Sequence, residues 1–270
     1  MASGDIHPTA IIERGAEIGA GCRIGPYCHI GSNVRLGPNN LLHAHVVIAG
    51  NTSVGEGNEI YPFCCFGTLA EDFRVQREWM SRVRIGDGNI FREYTTVNAS
   101  ASDGGSTIIG NNCFLLSYSH VAHDCVLGDK VTLSCDAKIS GHVHIGQNAI
   151  VSAKTGVVQF VRIGAFAFVG GFNKVAKDIL PYCIADGYPS VMRGVNKVGL
   201  ERNGFSVERI RIIRDAFRTM LRLGLPVGEA ITQLTERYPD NADVGEMIAF
   251  AKSSKTGLAR PRADDSVEEP

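Results

Sequence analysis

The segment SYSHVAHDC, residues 117–125, sets His120, His123 and Asp124 close together in the chain. Imidazole titrates near pH 6.5 in water, so it can take or give a proton at neutral pH. A carboxylate beside it can hold the neutral ring in one tautomer and leave the other nitrogen free. Such a pair can act as a general base on a hydroxyl group. A second segment, GHVHIG at 141–146, brings Gly141 and His142, and Gln159 follows further on. Whether these residues meet depends on the elements that carry them.

Those elements are set by a period of six. Every sixth residue from Ile6 to Phe66 is apolar, and a second run holds one phase from Ile85 to Val175, broken only at Asp103. An α-helix needs a period near 3.6 and an alternating strand a period of 2, so this pattern implies a solenoid whose coils stack to bury a continuous core. Glycine follows many of the apolar positions, as in Ile18-Gly19, Ile24-Gly25 and Ile145-Gly146, which suits corners where a Cβ would be costly. Three hexads make one triangular coil of 18 residues. The expected first domain is a parallel β-helix over 1–188, with excursions near 67–84, where the phase slips, and 99–107, around Asp103.

After Val175 the period stops, and Pro181, Gly187, Pro189 and Gly194 mark a connector. Ile210, Ile213, Phe217, Met220 and Leu221 then follow helical spacing, with Ser206 as a cap and Gly224 as a stop. Two shorter helices are expected near 226–237 and 241–253, giving an α-helical domain over 189–257, and a disordered tail over 258–270.

Composition narrows the function. A formal net charge of −1 supplies no basic field to hold a nucleic-acid backbone. No apolar run approaches the roughly 20 residues of a membrane span, and the first residues lack the charged and apolar regions of a signal peptide, so a cytoplasmic location is expected. The eight cysteines include no CxxC or zinc-type spacing, and Cys22 and Cys28, one repeat apart, read as wall packing.

Residues one coil apart lie above one another at the strand spacing of about 4.8 Å. Val121 points inward, so His120 and His123 should face outward, with Gly141 over His123, His142 over Asp124 and Gln159 one coil further. Space for a substrate and polar groups then coincide, and the Gly141 amide could donate to an oxyanion. Two other readings stay open: ordinary surface histidines, and a zinc site in which His120 and His123 join a histidine of a neighbouring chain, as in β-helical carbonic anhydrases.

The opening IHPTAII, the segments HVAHDC, GHVHIG, VVQF and LPYCIADG, and the run GVNKVGLERNGF resemble, in order, the UDP-N-acetylglucosamine O-acyltransferases that begin lipid A synthesis. The match extends over roughly residues 5–258. The resemblance implies a left-handed parallel β-helix followed by a small helical domain, a homotrimer with sites between subunits, an acyl carrier protein donor, a UDP-amino-sugar acceptor, and neither metal nor cofactor.

It also implies roles for individual residues. His123 would be the general base, Asp124 its orienting carboxylate and Gly141 the oxyanion donor. Asp72, Arg74, Asn98, His120, His142 and Gln159 would contact substrate, Asn196 and Arg202 would hold the nucleotide, and Gly171 would set a long acyl chain. The chain departs from the family pattern at Ala99-Ser100, which replace a basic residue and a glycine, and at Val158, Val198 and Asn203. Some relatives acylate a 3-amino sugar, so N-acyl transfer is the alternative. A non-catalytic solenoid that presents a surface to a partner is a further reading from another class. Six arginines between 202 and 222 face only Glu201, Glu208 and Asp215 and could steer an acidic carrier, or form a solvated helix face. Trp79, in the first excursion, is either a packing anchor or a ligand contact.

Overall fold

The computed structural model describes residues 5–261. Very short strands, most of two residues, recur every six residues and stack into three parallel sheets. The first face runs from Asp5–Ile6 to Cys183–Asp186, the second from Ile11–Ile12 to Lys174–Val175, and the third from Glu17–Ile18 to Arg162–Ile163. Pairing is in register one coil apart, as in Ile6 with Ile24, Val121 with Ile139 and Leu127 with Ile145. The apolar hexad residues point inward and are almost wholly buried from Ile24 onward, and the small residues two positions before them, Cys22, Cys28, Val34 and Cys125 among them, fill the corners.

Glycine after the inward residue is needed for a different reason from turn conformation. A Cβ on Gly19 would lie 2.5 Å from the carbonyl carbon of Gly37 in the next coil, so stacking excludes it. The left-handed backbone comes later in each corner and is taken by residues such as Asn39, Asp124, His142 and Phe160. Inside one corner Asn40, Asn58 and Asn89 form a buried ladder. The Asn58 side-chain amide donates to Asn40 Oδ1 at 3.0 Å, and that of Asn89 donates to Asn58 Oδ1 at 2.9 Å.

Two coils are longer than the rest, since Ile60 pairs with Phe91 and Val97 with Val121. The extra residues leave as loops over 69–81 and 99–105, each between the second and third faces. They brace each other. The Met80 N–H donates to Asp103 Oδ1 at 2.8 Å, and the Ser81 hydroxyl donates to the Ser102 carbonyl at 3.1 Å. Asp103 broke the hexad pattern because it belongs to this brace.

The connector is more ordered than its punctuation suggested. Cys183–Asp186 extends the first face and pairs antiparallel with Val191–Val195. Four helices follow: α1 (Lys197–Arg202), absent from the sequence reading, α2 (Val207–Leu221), α3 (Val227–Arg237) and α4 (Ala242–Lys252). Ser206 caps α2 by accepting from the Arg209 N–H, and Ile210, Ile213, Phe217 and Met220 are buried. The helices are tied to the last coils. Tyr182 donates to Glu246 and Arg162 lies over Phe250 at 4.1 Å, while Arg209 pairs with Asp243 at 2.8 Å to join α2 to α4.

The tail expected from 258 needs correction at its start. Leu258 bridges to the buried Asp178, whose carboxylate also accepts from Ser254 and Thr256, and Ala259 is buried. A buried acid requires such donors. Residues 262–270 of that expected tail lie outside the described residues.

Asn58→Ala is expected to destabilise the protein by about 2–4 kcal/mol in urea denaturation, because it leaves the buried Asn89 N–H and side-chain amide without the Asn58 Oδ1 acceptor, while Asn40 Oδ1 keeps the backbone N–H of residue 58. A loss below about 0.5 kcal/mol would mean that the ladder is replaceable by packing.

Candidate active site

The corner between the second and third faces carries the cluster. On successive coils it presents the 69–81 loop, the 99–105 loop, His123-Asp124, Gly141-His142 and Gln159-Phe160. His142 N–H donates to the His123 carbonyl at 3.0 Å, and Phe160 N–H to the Gly141 carbonyl at 3.2 Å, so the coils are locked in the stacking order that the sequence period implied. His123 points out of the β-helix yet is only 6% exposed.

His123 Nδ1 lies 2.9 Å from Asp124 Oδ2. Asp124 is itself held: the Ser100 hydroxyl donates to its Oδ1, the Ala101 N–H donates to Oδ2 at 3.0 Å, and its own N–H donates to Thr107 Oγ1 at 2.9 Å. Burial pushes the Asp124 carboxyl up, but the hydrogen bonds from Ser100, His123 and Ala101 outweigh it and leave it below the usual carboxylate range. An ionised carboxylate only accepts, so the proton sits on Nδ1 and Nε2 keeps a free lone pair. A Cβ at residue 141 would stand 2.4 Å from His123 Cε1 and 2.5 Å from Nε2, so only glycine leaves that edge of the ring open. The Gly141 N–H has no acceptor among the described residues.

His142 stacks on Phe160 with centroids 4.7 Å apart and meets His123 edge-on at 5.0 Å. His120 Nδ1 is 2.8 Å from Thr96 Oγ1 and its Nε2 is 3.7 Å from Glu71; burial lowers its pKa. Asp72 and Arg74 pair with each other at 2.5 Å, and the guanidinium holds the Asp72 carboxyl well below its usual range. Asn98 is buried, and its amide donates to the Leu69 carbonyl at 2.6 Å, anchoring the first loop. Gln159 is exposed beside Phe160.

The remaining expected residues stand elsewhere. Gly171 lies on the corner between the first and second faces. Asn196 follows the hairpin and caps α1, accepting from the Gly199 N–H at 3.1 Å and donating to the Phe166 carbonyl at 2.8 Å, while Arg202 is exposed at the end of α1. One chain therefore does not bring Gly171, Asn196 and Arg202 to His123. Of the α2 arginines, Arg209 is paired with Asp243 and Arg211 with Glu208, which reduces the positive face expected there. Trp79 is half-buried, whereas Phe73, between Asp72 and Arg74, is 99% exposed.

Ser100 stood out in the sequence only as a departure from the family pattern, and Ala101 and Thr107 went unnoticed. Their signal is the register Thr96 with His120, which places the second excursion beneath Asp124 once its length is known.

Loss of one hydrogen bond to a charged group is worth about 1.5 kcal/mol, so Ser100→Ala is expected to lower kcat roughly tenfold, read in steady-state kinetics. An unchanged kcat would mean that Ala101 and His123 hold Asp124 unaided. Because the folded pKa of Asp124 is depressed, its stabilising contribution is complete above the unfolded value of about 3.9 and is lost as pH falls through the lower folded value. The gap in thermal midpoint between wild type and Asp124→Asn should hold steady from about pH 7 to pH 5 and narrow below about pH 4. A gap indifferent to pH would contradict preferential ionisation in the folded state.

Comparison with known proteins places this geometry in a family. The family model described as UDP-N-acetylglucosamine O-acyltransferase, domain 2, matches residues 178–259, and the bacterial transferase hexapeptide model matches 6–38 and 106–141. A UDP-N-acetylglucosamine acyltransferase from Bacteroides fragilis is 36% identical, with a TM-score of 0.91 over 94% of this chain and 100% of its own. The UDP-N-acetylglucosamine O-acyltransferase from Moraxella catarrhalis is 38% identical, with a TM-score of 0.92 over 95% of this chain and 100% of its own. The Francisella novicida UDP-N-acetylglucosamine acyltransferase is 33% identical, with a TM-score of 0.94 over 98% of this chain and 97% of its own. These relatives are left-handed β-helices, and this chain shares that fold with its small helical C-terminal region. With identities above 30% over nearly the whole length, two family models in the expected places and the hexapeptide wall itself, the chain belongs to the UDP-N-acetylglucosamine O-acyltransferase family of acyltransferases.

Proposed function

We propose that the protein transfers a 3-hydroxyacyl group, of the 3-hydroxymyristoyl class, from acyl carrier protein to the 3-hydroxyl of UDP-N-acetylglucosamine, as the first step of lipid A synthesis in the cytoplasm. The observation that carries this reading is His123, oriented by Asp124 through Nδ1, with Nε2 opening over Gly141. Nε2 takes the sugar hydroxyl proton as that oxygen attacks the thioester carbonyl. The carbonyl electrons move onto oxygen, which accepts from the Gly141 N–H. Collapse of the adduct breaks the C–S bond, and the departing thiolate takes the proton from the His123 imidazolium.

His120, His142, Gln159 and the Asp72-Arg74 loop surround this corner and would position the sugar and its pyrophosphate, with Asn98 setting the loop base. Gly171 would limit the acyl chain, and Asn196 and Arg202 would meet the nucleotide. Since these last three stand away from the His123 corner, the reading requires neighbouring copies, as in a homotrimer with sites between subunits. No helix among the described residues is long and apolar enough to cross a membrane.

The alternative acceptor is a 3-amino sugar. A neutral amine needs less help from a base than a hydroxyl does, and the fully supported His123-Asp124 pair favours the hydroxyl.

His123→Ala is expected to lower the rate roughly 10²–10⁴-fold with 3-hydroxymyristoyl acyl carrier protein as donor. The same assay offers UDP-N-acetylglucosamine and its 3-amino analogue side by side. Turnover of the amine alone would reassign the acceptor, and near-normal turnover by the variant would remove His123 from the mechanism.

A further inference from the structure

We propose that His123, Asp124 and His142 also form a zinc site, and that zinc bound there switches the acyltransferase off. The inhibitory half rests on His123 being the base; the binding half rests on geometry alone. A nitrogen of each histidine and a carboxylate oxygen of Asp124 all lie within 4.8 Å of one another. Asp124 Oδ2 is 2.9 Å from His123 Nδ1 and 3.8 Å from His142 Nε2. Zinc bonds of about 2.0–2.2 Å place tetrahedral ligands roughly 3.4 Å apart, between those two separations, and with the two histidine nitrogens within 4.8 Å of each other the rings need only draw together to close the set around an ion. Two imidazoles and a carboxylate with an open fourth position is a donor set that zinc favours.

The surroundings hold these ligands in place. Ser100 and Ala101 fix the Asp124 carboxylate, and Phe160 fixes the plane of the His142 ring. Asp124 and His142 occupy consecutive left-handed corner positions, joined through the His142 N–H and the His123 carbonyl. His142 is the more exposed of the two histidines, with 37% of its side chain accessible against 7% for His123, and offers the ion a way in.

Zinc on Nδ1 would displace the single proton of the neutral ring from that nitrogen, and the ring stays neutral by carrying the proton on Nε2 instead, a change of tautomer with no net proton release. The nitrogen that faces Gly141 becomes a donor and can no longer accept a proton from the sugar. His120 is outside this set, since its Nδ1 is engaged with Thr96 and its Nε2 faces Glu71.

The test is zinc sulfate titrated into chelator-stripped full-length protein against a chromophoric chelator, followed by the acyl-transfer assay with added zinc. One ion per chain is expected. His142→Asn, which suits the left-handed backbone there, should weaken binding at least tenfold, whereas His43→Gln, which removes a histidine–glutamate pair on another corner, should leave it unchanged. Inhibition should follow the binding curve, reverse with chelator and weaken in parallel in His142→Asn. Absence of binding, or binding that His142→Asn does not weaken, would overturn the site. Activation by zinc would overturn the inhibitory role. Binding at this site with turnover intact would overturn both that role and His123 as the base, while an enzyme inactive on every acceptor would leave the titration to judge the site by itself. Zinc-edge absorption of the wild type decides the ligands even if a variant fails to fold: two imidazoles are expected, and none or one would refute the site.

Discussion

In-register pairing of residues one coil apart is the constraint on which the rest of this structure depends. Each strand is too short to hold together alone, and it persists because the coils below and above satisfy its backbone groups. The same pairing lines up Leu133, Val151 and Val169 inside one face and Val121, Ile139 and Val157 inside another. Each such buried side chain contributes about 1.5–3 kcal/mol of burial. It also decides what stands over His123. Because residue 141 is stacked there, a side chain at that position would collide with the ring.

The corners convert this regularity into chemistry. The left-handed region is sterically disfavoured for most side chains other than glycine, asparagine and aspartate, yet His142 and Phe160 adopt it as Asp124 does. The cost is met by stacking within the column and by the wall that fixes each turn at both ends. A rigid corner with two braced loops beside it gives Asp124 three hydrogen bonds besides its own to His123, which no isolated turn could supply. Holding the base within a few tenths of an ångström of one geometry is what a proton transfer requires.

The Ala99-Ser100 pair, read in the sequence as a departure from the pattern the resemblance implies, takes on a meaning here. Ser100 is fully buried, and its hydroxyl reaches Asp124 directly. The departure places a donor on the carboxylate that orients the base. The helical region has a separate task. Tyr182 reaching Asp243, and Asp178 accepting from Ser254 and Thr256, join it to the last coils, so that α1 leaves from the end of the first face with Asn196 at its cap.

Period six determined by itself that the chain is a stacked solenoid, and with the 18-residue coil it determined that Gly141 would lie over His123 and His142 over Asp124. Those facts are local and repetitive, so they survive in one dimension. The helical spacing of Ile210, Ile213, Phe217 and Met220, with Ser206 before it, likewise settled α2. What only the tertiary structure decided follows from irregularity. The loops over 69–81 and 99–105 have no period, so the support of Asp124 by Ser100 and Ala101, the pairing of Asp72 with Arg74 and the use of Asn98 as a loop anchor could not be read from spacing. Nor could the capping role of Asn196, because it depends on the antiparallel hairpin that ends the first face, whereas the corner on which Gly171 stands follows from the unbroken hexad count after His123.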